Sequence, residues 1–487
     1  TLVITGRVAQ QLGGRAAAVV AMALLAVNPT FIFWSRQGIF VTNLTALLFV
    51  ASLWAGLRWL RARRPADLWL LACLWGLGLY AKLLFIWAIG AMAAVAGAAW
   101  GVQQFVEGRS AGGQGSGSQQ VAGHRRLASV VRRPAFRVCF VAAVCFLLPM
   151  CTLIIFNLQS GGTLISVFSN LGQSYYGVNN RAYLPNLLTR LGQLNTLLRG
   201  DHLWYLGEVY ANRWAPWLAA GAAVGSGLFL LRALWRRPSS AVSSDAPGVP
   251  ALCRLSGTWR RPAAVAAPFI LAALIVAQSA FTVSDLFVTH YALLTPLIPL
   301  GMGLVASGLI SAARAGTGRS RVAHIVRSAF CVLYCASLIG WVGADLTNTL
   351  RYHRVLSIAG GYGSHSDAIY RLAEFLAERQ PAAPLALDWG VDAPVRFLTV
   401  GQVNPVEVFG YERLDGPDDG VIKRVEPFLA NPDNLYVAHA GEFVIFRGRV
   451  EALGQTAAAR GMRLAEVARF GERSGRPLFL IYQAVGP

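Results

Sequence analysis

The chain alternates long apolar stretches with short polar ones, and the length of the apolar stretches sets what kind of helix they form. About 20 consecutive apolar residues are needed for a helix to cross a hydrocarbon core. Nine stretches approach that length: 16–34, 40–59, 67–81, 84–104, 137–157, 214–232, 263–282, 291–311 and 326–346. The third is short and meets the fourth at Lys82, so 67–104 reads as a tight helical hairpin. From Ser366 the pattern changes to that of a small water-soluble domain. Ser366 caps a helix on which Ile369, Leu372, Phe375 and Leu376 recur at helical spacing. Strand-like runs follow at 384–388, 406–409, 434–438, 443–446 and 478–483, with helical stretches near 391–399, 418–429 and 448–460. The pattern predicts a polytopic α-helical membrane domain over 1–347 and an α/β domain of about five strands over 348–487.

Composition agrees, since 55% of residues are hydrophobic and only 14% charged, against about 25% charged in ordinary globular chains. That excludes disorder, a disulfide scaffold and a soluble enzyme. The 43 basic and 23 acidic residues leave a net charge of +20, which would suggest nucleic acid were it not for where the charges lie. Nine crossings sort the connecting segments into two alternating sets. One set holds 22 arginines; the other holds only Arg36, Lys82, Arg181, Arg190, Arg199 and Arg213. By the positive-inside rule the first set is cytoplasmic, and the segment from 348 onward is extracytoplasmic. That segment carries 15 basic and 16 acidic residues, so the basicity is topological and no nucleic-acid partner is expected. The expected location is the inner (cytoplasmic) membrane.

Thr1–Arg7 reads as the cytoplasmic end of an earlier helix, so further spans are expected upstream, and nothing resembles a signal peptide. Cys73, Cys139, Cys145, Cys151, Cys331 and Cys335 fall in spans and Cys253 in a cytoplasmic loop, so no disulfide framework holds the outer domain. Cys331 and Cys335 share a helix face without a second ligand pair, as small buried residues do. No metal site is expected.

The two sets of loops differ in kind. The cytoplasmic ones, Gly108–Gln120, Pro238–Pro250 and Ala315–Ser320, are rich in glycine and serine and bury too little apolar surface to order themselves. The outer ones carry aromatics, amides and isolated charges. The 158–213 loop contains Tyr175, Tyr176, Asn179, Asn180, Arg181 and Tyr183, then leucines at helical spacing from Leu187 to Leu198, predicting an amphipathic helix in the membrane interface. It ends with Arg199, Asp201, His202, Trp204, Tyr205 and Glu208, which is either a polar site or an aromatic belt with solvated charges. Lys82 and Arg36 are lone cations in outer turns, either snorkelling to headgroups or paired with an anion such as a phosphate. Asp285, His290 and Tyr291 share the short turn before the 291–311 span. Asp388-Trp389-Gly390, at a strand end, admits a structural turn or the lining of a site. The chain carries no phosphate loop, zinc-protease motif or nucleophile elbow, and the spans hold almost no ionisable residues at mid-depth. An ATP-driven pump and an ion pathway are both disfavoured.

Taken in order, Gly6-Arg7 through Ala17, Asn28-Pro29 through Arg36, Trp75 through Lys82, and His290 through Pro296 resemble the C-type glycosyltransferase superfamily, in the branch of protein O-mannosyltransferases and the lipid A aminoarabinose transferase. The resemblance covers residues 1–347. It implies transfer of a sugar from a polyprenyl-phosphate donor to an acceptor on the outer face, with Lys82, Arg36 and His290 near the donor phosphate and the 158–213 loop covering donor or acceptor. Arg199, His202 and Tyr291 complete the candidate substrate-binding set. The implied partners are membrane lipid, the lipid-linked donor and other membrane proteins of a complex; a divalent metal is left open. In the family the acidic base lies on the first outer loop, and this chain begins after that loop, so a substitute base would come from Asp201, Glu208 or Asp285. The competing readings are a non-catalytic glycosyltransferase-like subunit of a larger complex and, last, a lipid or solute carrier.

The sidedness is testable. With the seven native cysteines replaced, a cysteine at Gly113 is expected to resist an impermeant thiol reagent in intact cells, while one at Asn431 reacts. Equal labelling would refute the topology.

Overall fold

The computed structural model describes residues 1–36, 41–111, 132–174, 177–235, 257–314 and 321–486. Cys253, Tyr175, Tyr176 and most of the glycine- and serine-rich loops lie outside those residues. Eight described helices are long and apolar enough to cross a membrane, and a shorter apolar one spans Pro65–Ala81. All nine overlap the stretches picked out by hydropathy. The chain divides into two compact units: Thr1–Gly200 with Ala211–Thr349, and Asp201–Tyr210 with Leu350–Pro487.

The first unit is a helix bundle. Its helices are α1 Leu2–Val27, α2 Pro29–Arg36, α3 Thr42–Ala62, α4 Pro65–Ala81, α5 Ile86–Ala111, α6 Arg132–Leu147, α7 Cys151–Ser160, α8 Gly162–Ser169, α9 Tyr183–Arg199, α10 Ala215–Trp235, α11 Gly257–Ser279, α12 Leu297–Arg314 and α13 Arg321–Ala359. Within α1, Gly14 has φ +81° and breaks the helix into two, a conformation only glycine adopts without strain. The expected end of one helix near Arg7 and start of another at residue 16 are thus joined by a kink at Gly14. Pro29 starts α2 because it fixes its own φ and drives Asn28 out of the helical region. Asn28 Oδ1 then accepts the Phe31 N–H at 2.9 Å. At Gly303 an added Cβ would lie 2.4 Å from the Ala17 carbonyl, so α12 and α1 approach backbone to backbone.

Cross-links sort the helix ends into two groups. At one end Arg61 donates to the Gln11 carbonyl, Ser307 to the Gly13 carbonyl, and Arg58 pairs with buried Asp67 at 2.9 Å. At the other, Thr30 donates to the Leu197 carbonyl at 3.3 Å, Thr349 to Val27 at 2.9 Å, and Gln278 to Trp87 at 3.1 Å. Each contact joins segments that the arginine count puts on the same side. The long span Phe136–Ser160 leaves its apolar side chains outward, Phe140, Leu148 and Leu158 among them, as a lipid-facing helix does.

The second unit contains α14 Ala368–Arg379, α15 Asp392–Leu398, α16 Val421–Val425 and α17 Arg449–Ala458. Its strands are β1 Pro384–Ala386, β2 Val406–Glu407, β3 Leu435–His439, β4 Arg463–Gly471 and β5 Pro477–Val485, in the order β2-β1-β3-β5-β4. β2, β1 and β3 run parallel, and β5 and β4 close the sheet antiparallel. α14 buries Leu372, Ala373 and Leu376 against this sheet's core.

The expected strand at 443–446 does not form. Buried Asp388 accepts the Ile445 and Phe446 N–H groups at 3.0 and 3.2 Å, so those donors serve a carboxylate instead of a ladder. The fifth strand is β4, whose alternation the sequence hides: its register shifts between Glu466 and Ala468 and most of it is only half-buried. Behind the sheet, buried Arg449 gives all its donors to carbonyls, Phe409 at 3.0 Å, Arg447 at 2.8 Å, Arg413 at 2.6 Å, Gly410 at 3.4 Å, and Gly416. One guanidinium shapes the whole 409–416 loop. Arg449→Ala is expected to cost roughly 2–4 kcal/mol and to speed hydrogen exchange across 409–418 in the full chain; unchanged exchange would show that the loop holds itself.

Candidate anion-binding site

The amphipathic helix expected in the 158–213 loop is α9, but its orientation corrects the expectation. Asn186, Arg190 and Leu197 are buried, while Leu184, Leu188 and Leu191 are exposed. Spacings of four, three and four residues put Asn186, Arg190, Gln193 and Leu197 on one face, which is bound to the bundle together with Leu187, Leu194 and Leu198. Asn186 Nδ2 donates to the Ala280 carbonyl at 3.2 Å, and Arg190 Nε to the Ser279 carbonyl at 3.3 Å. Gln193 Nε2 donates to the Leu286 carbonyl, and its Oε1 accepts from Arg190 Nη1 at 3.2 Å and from the Tyr291 hydroxyl at 2.9 Å. α9 is thereby fastened across the mouth of α11 and the 288–291 turn.

Arg190 is only 1% exposed. Its Nη2 has no hydrogen-bond partner and its guanidinium no carboxylate among the described residues. His290 sits on the turn that α9 covers, its Nδ1 3.0 Å from the Phe287 N and 3.2 Å from the Phe287 carbonyl oxygen. Burial pushes the His290 pKa down to about 4, and the positive charges of Lys82 and Arg190 push it the same way. Lys82, half-buried, follows α4 with an extended backbone and donates its N–H to the Gly78 carbonyl at 3.0 Å. Burial lowers its pKa too, and no described carboxylate pairs with it. Two positive charges, Lys82 and Arg190, act on the neutral His290 ring, and Asp285 is the acid of the neighbouring turn, its Oδ1 accepting the Leu286 N–H at 2.8 Å. A recess lined by Thr30, Phe31, Trp34, Leu197, Val288 and Ala292 adjoins the turn.

Of the residues singled out in the sequence, Lys82, His290, Tyr291 and Asp285 are brought together. Arg36 ends α2 with its side chain exposed. Arg199, at the end of α9, lines an open groove with Asn195, Arg213 and Trp217. Asp201, His202 and Glu208 belong to the second unit, where Glu208 accepts the Tyr210 hydroxyl at 2.6 Å and thereby raises the Tyr210 pKa. Sequence reasoning missed Arg190 and Gln193, although their spacing from Asn186 marked a polar helix face. It also missed Asp345, the sole acid of α13, buried and bonded by Asn212 at 2.7 Å, Trp341 at 3.0 Å and Asn28 at 3.5 Å. Among the described residues no group of three or more His, Cys, Asp or Glu is placed to hold a metal ion.

Comparison of the chain with known protein families and with characterised proteins returns no match.

A histidine that is neutral when folded but protonates near its ordinary 6.5 when unfolded makes the unfolded state bind more protons between those values. Stability from His290 is therefore full above pH 6.5 and lost as pH falls toward about 4. His290→Gln is expected to flatten the fall in Tm across that window; an unchanged slope would show that His290 does not titrate there.

Proposed function

We propose that the protein is an integral-membrane glycosyltransferase that moves a sugar from a polyprenyl-phosphate donor to an acceptor on the extracytoplasmic face. The observation that carries the reading is the convergence of Lys82, Arg190 and His290, with no carboxylate pairing Lys82 or Arg190 among the described residues. Arg190 keeps an unused Nη2 donor, and a phosphate suits it because its oxygens match the guanidinium fork. The adjoining recess presents Phe31, Trp34, Leu197 and Val288 to a hydrocarbon portion of such a substrate.

The chemistry asked of these groups is limited. The bond from the anomeric carbon to the phosphate oxygen breaks, and the acceptor oxygen forms the new bond to that carbon. The acceptor proton goes to a carboxylate, for which Asp285, on the turn beside His290, is the candidate of this unit. Lys82 and Arg190 stabilise the negative charge gathering on the departing lipid phosphate, and the His290 imidazole adds a hydrogen bond to it. Because an anion restores the imidazolium, binding of the donor strengthens as pH falls below neutrality.

Purified full-length protein in lipid nanodiscs should transfer label from a polyprenyl-phosphate sugar. Lys82→Ala and Arg190→Ala should each lower the rate about 10²- to 10³-fold, and Asp285→Asn about 10²- to 10⁴-fold. Full activity in both cation variants would overturn the reading. No turnover, together with co-purification of a partner at fixed stoichiometry, would replace it with that of a non-catalytic subunit.

A further inference from the structure

The second unit carries an exposed aromatic surface that the transferase reading does not use. Its strand order β2-β1-β3 reverses direction beside β1, and in such sheets ligands bind beyond the carboxyl ends of the strands at the reversal. Those ends continue into the loops 387–391 and 440–446, which the Asp388 carboxylate ties together through the Ile445 and Phe446 N–H groups. Trp389 stands on the first loop, 45% exposed. On the second, Phe443 packs against Tyr362 with ring centres 5.3 Å apart.

The surface continues into the Asp201–Tyr210 segment, which belongs to this unit and is held to it by the Tyr362 N–H donating to the Tyr205 carbonyl at 2.9 Å. Trp204 is 50% exposed, with its ring 6.2 Å from Tyr362 and 5.8 Å from His365. Ser364, next to His365, lies against Gly390, next to Trp389. Two exposed indoles thus flank one patch. Its polar members are planar and fixed: Arg476 lies over the Tyr362 ring at 4.9 Å and pairs with Glu442 and Glu472, each at 2.9 Å.

We propose that this edge of the C-terminal domain binds a neutral oligosaccharide, with pyranose C–H faces on Trp204 and Trp389 and hydroxyls on Glu442 and Arg476. Three features select that chemistry. Exposed indoles offer flat apolar faces of sugar-ring size with a polar N–H at the edge. Carboxylate and guanidinium groups held in place give both acceptors and donors, as a polyhydroxylated ligand requires. One arginine against two glutamates leaves the patch net negative, which disfavours an anionic lipid surface. The proposal adds a docking surface for the acceptor to the transferase reading, but binding needs no transfer.

The test is titration calorimetry of the full-length protein in nanodiscs with maltohexaose, cellohexaose, chitohexaose and α-1,6-mannohexaose. At least one should bind with Kd between about 10 μM and 1 mM. Trp204→Ala and Trp389→Ala should each weaken it about tenfold or more, and Glu442→Gln measurably, while Trp217→Ala in the first unit leaves it unchanged. No binding by any of the four sugars, or binding indifferent to both tryptophans, overturns the proposal. So does quenching of Trp204 emission by doxyl-labelled lipid, which would put that ring in the bilayer. Sugar binding without transfer would leave this surface standing while the transferase reading falls, and transfer without sugar binding would do the reverse.

Discussion

A cation kept from water is costly unless hydrogen bonds or an opposite charge compensate it, and the helix-bundle unit is arranged around that constraint. Its acids near the helix ends are already committed: Asp67 to Arg58, and Asp345 to the amides of Asn28 and Asn212 and the Trp341 indole. Arg190 instead gives its hydrogen bonds to a carbonyl and an amide oxygen, which accept but carry no full charge. Neutral acceptors satisfy geometry and leave the electrostatics open. Burial, with the field of Lys82 and Arg190 added to it, keeps the His290 imidazole neutral.

The helices were legible because a span must be long and apolar wherever it sits. Length and hydropathy need no knowledge of neighbours, and the charge count rests on sums along the chain. The site was legible only in part, for an equally physical reason. Lys82, His290 and Tyr291 stood out as polar residues in apolar surroundings. Arg190 did not, because it lies in a helix whose leucines dominate the periodicity, and the direction in which such a helix faces depends on what it packs against. Its leucines divide, Leu187, Leu194, Leu197 and Leu198 packing on the core while Leu184, Leu188 and Leu191 face outward. Asp345 was hidden likewise, since a lone acid near a span end becomes informative only when Asn28 and Asn212, far away in sequence, are seen to close on it.

In the second unit the errors trace to side chains that take over backbone hydrogen bonding. Apolar character at 443–446 is what a strand would show, yet the carboxylate of Asp388 captures two of its donors. No local propensity contains that information, because the competing acceptor is more than fifty residues away. Arg449 does the converse for carbonyls, gathering those of the 409–416 loop on one guanidinium. Asp388 and Arg449 are therefore scaffolding. His439, with Nδ1 3.2 Å from Asp388 and buried with it, packs on Phe479 in the same scaffold, away from solvent.

The polarity of α9 also bears on how a substrate would reach Arg190 under the proposed reading. The helix turns Leu184, Leu188 and Leu191 outward, while Leu187, Leu194, Leu197 and Leu198 pack on the bundle core beside the amide and guanidinium groups that face α11 and the 288–291 turn, so it is a lid whose underside is both apolar and polar. A molecule with a phosphate attached to a hydrocarbon chain suits such an underside, its charge at Arg190 and its chain against Phe31, Trp34 and Leu197. The hydrogen bonds of Asn186 to Ala280 and of Gln193 to Leu286 are what hold that lid in place. Loss of either amide would loosen the cover while leaving every cation present, which separates the positioning of the site from its charge.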